Sequence, residues 1–304
     1  SVKFRHLAFA IVDEQHRFGT RQRRALARKE GVAPHFLSIT ATPIPRTLAL
    51  TMYGDLDISV LDELPPGRAK ITTTIIKPDE RATAYEKIRE QLIAGRQAFV
   101  ICPLIDESEK LEAKAATKEY EKLQNNVFPD LKISLLHGKM KAKEKEEIMQ
   151  EFRDKKSDIL VSTSVVEVGI DVPNATVMLI EGADRFGLAQ LYQFRGRVGR
   201  GEHQSYCFLF TDSTAKTTHQ RLKALINAKN SFELAEEDLK IRGPGDFIGS
   251  RQSGMPDLAM ASLSDLEFVK QVRKEVEDML ARDPELETNP LLRAKYENFR
   301  KEIH

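Results

Sequence analysis

Short apolar runs alternate along the chain with longer segments in which apolar residues recur every three or four positions. The short runs have the length and the β-branched or aromatic content of buried strands. They cover residues 7–12, 35–39, 71–76, 98–102, 133–136, 159–162, 176–180 and 206–210. The helical spacing predicts helices over residues 79–94, 141–153, 214–229, 232–241, 264–282 and 291–303. Strands that alternate with helices predict an α/β fold, in which parallel sheets are covered by helices on both faces.

Interruptions in this pattern divide the chain into three regions. A Leu-Pro-Pro-Gly sequence at residues 64–67 is typical of a linker, because the prolines fix the backbone and the glycine frees it. Residues 1–67 hold too few strands for a complete α/β domain, whereas residues 68–213 hold a full series. Residues 214–304 read as a helical hairpin, a loop rich in glycine and proline, and C-terminal helices.

The amino-acid composition excludes several classes of protein. The 304 residues are 41% hydrophobic, and 47 Lys and Arg against 46 Asp and Glu leave a net charge of +1. This balance excludes a basic coat over the whole surface, so any polyanion site is a local patch. Cys102 and Cys207 form no CxxC pair, which excludes a disulfide framework or zinc ribbon and fits a reducing cytoplasm. The apolar runs are far shorter than the ~20 residues of a membrane helix, so we expect no membrane partner. The first residues do not resemble a signal peptide, and we expect the chain to be part of a longer protein.

Two polar motifs follow the first two predicted strands. Asp13 and Glu14 come directly after residues 7–12, where ligands bind in parallel sheets. Asp13 could hold Mg²⁺ and Glu14 could orient an attacking water, although a polar strand exit is the plainer alternative. Thr40 and Thr42 follow the second strand and could relay contacts between domains; as an alternative, Thr42 caps a helix that starts at Pro43.

Two further motifs favour phosphate binding. Residues 163–171 begin with Thr163 at a strand end, where hydroxyls and free amides can hold a phosphate, and Gly169 allows close backbone approach; a simple turn is the alternative. Residues 190–200 hold three arginines with interleaved glycines. Arg197 and Arg200 are three residues apart, which predicts that they share a helix face, and guanidinium groups suit phosphate oxygens. A basic cluster on the surface is the alternative. By contrast, the mixed-charge run of residues 139–156 is typical of a solvated helix face.

Together and in this order, these segments resemble motifs II, III, V and VI of superfamily 2 helicases. Residues 13–19, 40–67 and 232–254 are most similar to the RecG family of branched-DNA translocases. The resemblance implies two RecA-like lobes, the first represented by residues 1–67 and the second by 68–213, with ATP and Mg²⁺ between them. It implies that Asp13, Glu14, Arg197 and Arg200 are catalytic, that Asp13 holds the metal, and that Gly169, Asp171 and Gln193 lie with both arginines at the nucleotide. It implies that Thr40, Thr42 and Thr163 lie towards DNA or help to couple nucleotide hydrolysis to DNA movement.

The segment 232–254 resembles the translocation motif of the same family. The resemblance implies that its hairpin abuts motif VI and that its loop reaches duplex DNA, with Arg251 and Gln252 at or near the DNA. Arg242 belongs to this coupling set; as an alternative, a cation at a helix C-terminus is favoured by the helix dipole alone.

One departure from the family pattern concerns the phosphate cradle. The sequence contains no GxxxxGK[ST] motif. We therefore expect a C-terminal helicase part whose N-terminal lobe and wedge domain lie elsewhere in the polypeptide. The chain alone is expected to be inactive. Its residues 1–64 are expected to form either a mobile remnant or a surface that self-association covers. The whole protein is expected to be a cytoplasmic ATP-dependent DNA helicase that moves branched or forked duplexes in recombination and repair. A non-enzymatic DNA-binding or regulatory module, and a transcription-repair coupling translocase, stay open as alternatives.

Overall fold

The computed structural model describes residues 7–13, 34–40, 59, 61, 69–103, 109–163, 171–242 and 266–303. The strands and the helices up to Ile241 belong to one compact unit, and the C-terminal helices belong to a second. In the part of the chain that the structure describes, no helix is both long and apolar enough to cross a membrane.

Within the described residues, eight strands form two sheets, and every strand pair is parallel. A two-stranded sheet pairs β1 with β2, and a six-stranded sheet has the order β3-β8-β7-β4-β6-β5. The strands are β1 (Phe9–Asp13), β2 (His35–Ile39), β3 (Thr72–Ile76), β4 (Gln97–Ile101), β5 (Ile133–Leu136), β6 (Ile159–Ser162), β7 (Ala175–Ile180) and β8 (Tyr206–Phe210). All eight predicted strands are confirmed, and their predicted and observed ends differ by at most two residues.

The described residues form eight α-helices. They are α1 (Arg81–Ile93), α2 (Glu109–Lys122), α3 (Ala142–Arg153), α4 (Leu188–Arg195), α5 (Lys216–Asn227), α6 (Ser231–Arg242), α7 (Leu266–Arg282) and α8 (Pro290–Ile303). A π-helical turn, Leu123–Val127, continues α2. The sequence pattern predicted all of these helices except α2 and α4. The segment 242–256, predicted to be a loop, lies outside the described residues beyond its first position.

The core lies on both faces of the six-stranded sheet, as predicted. Successive residues of β4 alternate between the faces: Phe99 packs with α3, α4 and α5 on one side, and Val100 packs with α1 and α2 on the other. Each strand therefore buries two apolar faces, which explains its continuous apolar run. Both cysteines are buried and free, one on each side. Burial raises the pKa of the Cys207 thiol to about 12, so this thiol stays protonated at neutral pH.

Candidate functional site

The candidate site residues near the six-stranded sheet lie at two opposite edges of it. Thr163 follows β6, so it lies at the edge formed by the carboxyl ends of the strands. Asp171 precedes β7, and Arg197 and Arg200 precede β8, which places all three at the amino edge. The structure therefore brings Asp171 and Arg200 together and separates them from Thr163.

At the amino edge, Arg200 forms an ion pair with Asp171. Its Nη1 lies 3.3 Å from Asp171 Oδ1, and its Nε donates a hydrogen bond of 3.3 Å to the carbonyl oxygen of Gly196. Both contacts are long, and the Asp171 side chain is 63% exposed. Ion pairs with this exposure contribute only about 0–1 kcal/mol. The guanidinium group can therefore leave Asp171 for a phosphate at little cost.

Two glycines bring the backbone segments of this edge into contact. Gly199 has φ +78, and a Cβ there would lie 2.8 Å from Ile71 Cγ1. A Cβ on Gly201 would lie 2.8 Å from the carbonyl oxygen of Pro173. Glycine is required at both positions, by backbone angle in the first case and by close approach in both. The segment 199–201 consequently packs directly against the segment that carries Asp171.

The helix face predicted for Arg197 and Arg200 is wrong. Helix α4 ends at Arg195, and Gly196 caps it. The left-handed backbone of Gly199 then turns the chain, so the two arginines project from an irregular segment. Arg197 is half-buried and contacts its surroundings, whereas Gln193 lies half-exposed in the last turn of α4.

Arg195, which the sequence pattern did not single out, connects the end of α4 to helix α5. Its Nη1 donates a hydrogen bond of 2.6 Å to the carbonyl oxygen of Leu225 in the last turn of α5. Its guanidinium also lies 4.8 Å from the centre of the Tyr192 ring. Helix α5 ends at Asn227, and the last carbonyl groups of a helix have no amide donor within it. The Leu225 carbonyl oxygen therefore accepts its hydrogen bond from outside the helix. A second arginine, Arg221 of α5, donates 2.8 Å to the carbonyl oxygen of Phe186.

At the carboxyl edge, Thr163 is fully buried. Its hydroxyl oxygen has no hydrogen-bond partner within the described residues, while its carbonyl oxygen accepts a bond of 3.0 Å from the Ser162 hydroxyl. The residues that follow, 164–170, lie outside the described part. The role of Thr163 at DNA stays a prediction.

An ionic cluster lies at the same edge. Arg81, at the start of α1, donates two hydrogen bonds. One, of 2.8 Å, goes to Oε1 of Glu181, which follows β7, and the other, of 2.9 Å, goes to Oδ1 of Asp212, which follows β8. Burial, together with the nearby charge of Glu119, raises the pKa of Glu181 above its ordinary value although Arg81 opposes the shift. The second oxygen of Glu181 is buried without a hydrogen-bond partner among the described residues. Desolvation is the stronger effect here because Arg81 reaches only one of the two oxygens.

In the two-stranded sheet, the polar residues after β1 and β2 are neighbours. Asp13 ends β1 and lies opposite Ile39, the residue that precedes Thr40. Asp13 and Thr40 are both exposed. Within the described residues, no group of three or more His, Cys, Asp or Glu is arranged to hold a metal ion. Asp13 as a Mg²⁺ ligand stays a prediction.

Five predicted site residues lie outside the described part of the chain: Glu14, Thr42, Gly169, Arg251 and Gln252. Arg242 is the last residue of α6, and its side chain is not described. The roles assigned to these six residues stay predictions.

Comparisons with known proteins relate this arrangement to one family. Residues 83–202 match the profile of the helicase conserved C-terminal domain, and residues 228–303 match that of ATP-dependent DNA helicase RecG, domain 3, C-terminal. The chain is 53% identical over 296 residues to an ATP-dependent DNA helicase RecG of Synechocystis sp., and 50% identical over 294 residues to that of Aquifex aeolicus. These alignments cover 97% and 94% of this chain. The chain belongs to the RecG family.

A solved RecG structure supports this assignment in three dimensions. The structure of RecG bound to a three-way DNA junction is 42% identical to the chain, with a TM-score of 0.68 over 89% of it. The chain spans 36% and 37% of the two curated RecG proteins and 34% of the solved one. A Saccharomyces cerevisiae Dbp5 structure, at 14% identity and a TM-score of 0.54, shares the fold.

Proposed function

We propose that the chain is the C-terminal part of an ATP-dependent DNA helicase of the RecG type. In the whole protein, ATP hydrolysis would drive movement along duplex DNA and branch migration of forks and junctions, in recombination and repair in the cytoplasm. The observation that carries the proposal is the placement of Asp171 and Arg200 at one edge of the sheet and Thr163 at the other. A nucleotide and a DNA strand can then be held by the same lobe at separate surfaces.

The residues of the amino edge fit a nucleotide. When bound, ATP supplies the scissile phosphoanhydride and Mg²⁺ neutralises its developing charge. Arg197 and Arg200 would donate to phosphate oxygens, and the exposed carboxylate of Asp171 can accept from a hydroxyl. Gln193 and Gly169 belong to the same site in this proposal. From the first lobe, Asp13 would hold the metal and Glu14 would orient the attacking water.

The helical hairpin would connect nucleotide and DNA. Arg195 ties α4, which precedes the two phosphate-binding arginines, to α5 of the hairpin. Helix α6 precedes Arg251 and Gln252 in the sequence. In this proposal these two residues and Arg242 contact DNA or couple to it, together with Thr40, Thr42 and Thr163. In this proposal residues 1–67 belong to the first RecA-like lobe, 68–213 form the second, and 214–304 form the coupling region.

The proposal is tested by DNA unwinding with the full-length protein on a three-way junction. We expect ATP-dependent strand separation that Arg251→Ala or Gln252→Ala abolishes while appreciable ATP hydrolysis remains. Unwinding and hydrolysis are measured at matched salt, because phosphate contacts make DNA binding salt-dependent. Lys143→Ala is the control, since Lys143 is 89% exposed on α3. Wild-type protein that does not separate the strands would contradict the proposal, and proportional loss of both activities in the loop variants would remove the coupling role.

A further inference from the structure

A pocket of about 520 Å³ opens at the amino edge of the six-stranded sheet. We call it the amino-edge pocket. The segments that precede β4, β6, β7 and β8 line it, and these strands are neighbours in the sheet. Asp171 and Gly201 belong to its lining, so it adjoins the Asp171–Arg200 pair. Its other polar lining residues are Arg96, Arg153, Lys155, Asn174, Glu202 and His203.

Lys155 lines this pocket in a backbone conformation that lysine rarely adopts. Its φ is 57, in the left-handed region. It follows the end of α3: its amide donates to the carbonyl oxygen of Phe152, and the Lys156 amide donates to that of Glu151. This pair of hydrogen bonds is the Schellman motif, whose left-handed position glycine usually occupies. Glycine would fit there without steric conflict.

The side chain of Lys155 gives no structural reason for this strain. One other non-glycine residue of the described part, Leu286, has a positive φ, and its side chain is buried and can offset the strain by packing. The Lys155 side chain is exposed and forms no hydrogen bond or ion pair within the described residues. Strained backbone that local packing does not explain is a feature of functional sites.

The pocket is suited to an anion. Arg153 and Lys155 have no carboxylate partner among the described residues. Arg96 is held in place through a hydrogen bond of 3.3 Å to Asn174 Oδ1, and Asn174 donates in turn to the Gly95 carbonyl oxygen. Two carboxylates, Asp171 and Glu202, also lie in the lining, but Asp171 is already paired with Arg200. Cations therefore outnumber the available anions.

We propose that the amino-edge pocket holds part of the bound nucleotide and that Lys155, with Arg96 and Arg153, donates to its anionic groups. This inference rests on the proposed function, because it extends the nucleotide site from Asp171 and Arg200 into the pocket. It assigns a binding role to the mixed-charge segment at the end of α3, for which the sequence pattern favoured a solvated face.

The test is equilibrium binding of ADP with Mg²⁺ to the full-length protein by calorimetry, without turnover. Lys155→Gly is expected to raise the Kd about tenfold, which corresponds to about 1.4 kcal/mol. Lys155→Arg, which keeps the charge, should stay within about threefold of wild type, under about 0.7 kcal/mol. Lys156→Ala is the matched control, since Lys156 is the next residue, carries the same charge and does not line the pocket.

Thermal unfolding without nucleotide separates binding from folding. Lys155→Gly should unfold at the wild-type temperature or above it, because glycine relieves the left-handed strain. ADP binding to Lys155→Gly at wild-type affinity would overturn the pocket assignment and leave the proposed function intact. An equal loss of ADP affinity in Lys156→Ala would also overturn the assignment, since the removal of any nearby positive charge would then explain the effect. Failure of the wild-type protein to bind ADP would contradict both proposals.

Discussion

At the scale of single residues, Arg200 is held weakly enough to be recruited by a ligand. In the full-length protein we expect Arg200→Ala to lower the ATPase rate by about 10³-fold or more, the effect of removing a phosphate-binding arginine from phosphoryl transfer. DNA binding, measured by fluorescence anisotropy, should change far less, because Thr163 lies at the opposite edge. Arg200→Lys should restore little activity, since an ammonium lacks the planar fork. A rate within about threefold of wild type, under about 1 kcal/mol in the barrier, would remove Arg200 from the catalytic residues.

Glu181 provides a prediction about pH. Its pKa in the folded chain lies above the ordinary 4.5, so the folded state holds this proton more tightly than the unfolded state does. The stabilisation from this group is therefore complete below pH 4.5 and is lost as the pH rises through the raised value. Glu181→Gln keeps an acceptor for Arg81 but cannot ionise. Urea unfolding from pH 4 to 7 should show the wild type losing stability relative to Glu181→Gln as the pH rises. A difference in stability between the wild type and Glu181→Gln that stays constant with pH would contradict this prediction.

The sequence did not predict the geometry of the candidate site residues. The spacing of Arg197 and Arg200 indicated a phosphate site, but the helix face was wrong, because α4 stops at Arg195. The contact between Gly201 and Pro173 depends on the order of strands in the sheet, which one sequence does not reveal. Arg195 looked like part of a basic cluster. The signal that could have identified it was an arginine near a helix whose last carbonyl groups need donors.

At the scale of elements, the hydrogen bond from Arg195 to Leu225 should hold α4 and α5 together. Its length is 2.6 Å and Leu225 is fully buried. We expect Arg195→Ala to destabilise the chain by about 1–3 kcal/mol, the range for leaving a buried acceptor without its charged donor. Chemical denaturation measures this. Arg153→Ala, at the exposed end of α3, is the control and should lie within about 0.5 kcal/mol of wild type. Equal stability of the two variants would show that the hydrogen bond from Arg195 to Leu225 contributes little to stability.

The strands were predictable because each one is buried on both faces. A run such as residues 98–102 is apolar throughout, and the sheet buries it from both sides. Helix α2 was missed because its sequence, EKLEAKAATKEYEK, is mostly charged and shows little apolar periodicity. Helix α4 was missed because it has only eight residues, about two turns. The parallel pairing followed from the alternation of elements, whereas the strand order did not.

At the scale of the whole molecule, the two-stranded sheet exposes apolar side chains. Phe9 is 53% exposed, Ile11 58%, and Leu37 and Ile39 45% each. Unpaired sheet edges and exposed apolar surface promote association. We expect the chain on its own to self-associate, and Ile11→Thr with Leu37→Thr to weaken that association in sedimentation velocity. The pair Lys143→Thr with Glu147→Thr, on exposed positions of α3, is the control. A strictly monomeric wild-type chain whose β1 and β2 amides exchange slowly would contradict this.

In the proposed function, this chain holds the coupling half of a nucleotide-driven DNA translocase. The most direct test compares steady-state ATP hydrolysis by the full-length protein and by this chain alone, each with and without a three-way DNA junction. We predict junction-stimulated hydrolysis by the full-length protein. The chain alone should remain at background, because its sequence contains no GxxxxGK[ST] cradle and positioning supplies nearly all of phosphoryl-transfer catalysis. Junction-stimulated turnover by the purified chain, or none by the full-length protein, would contradict the account.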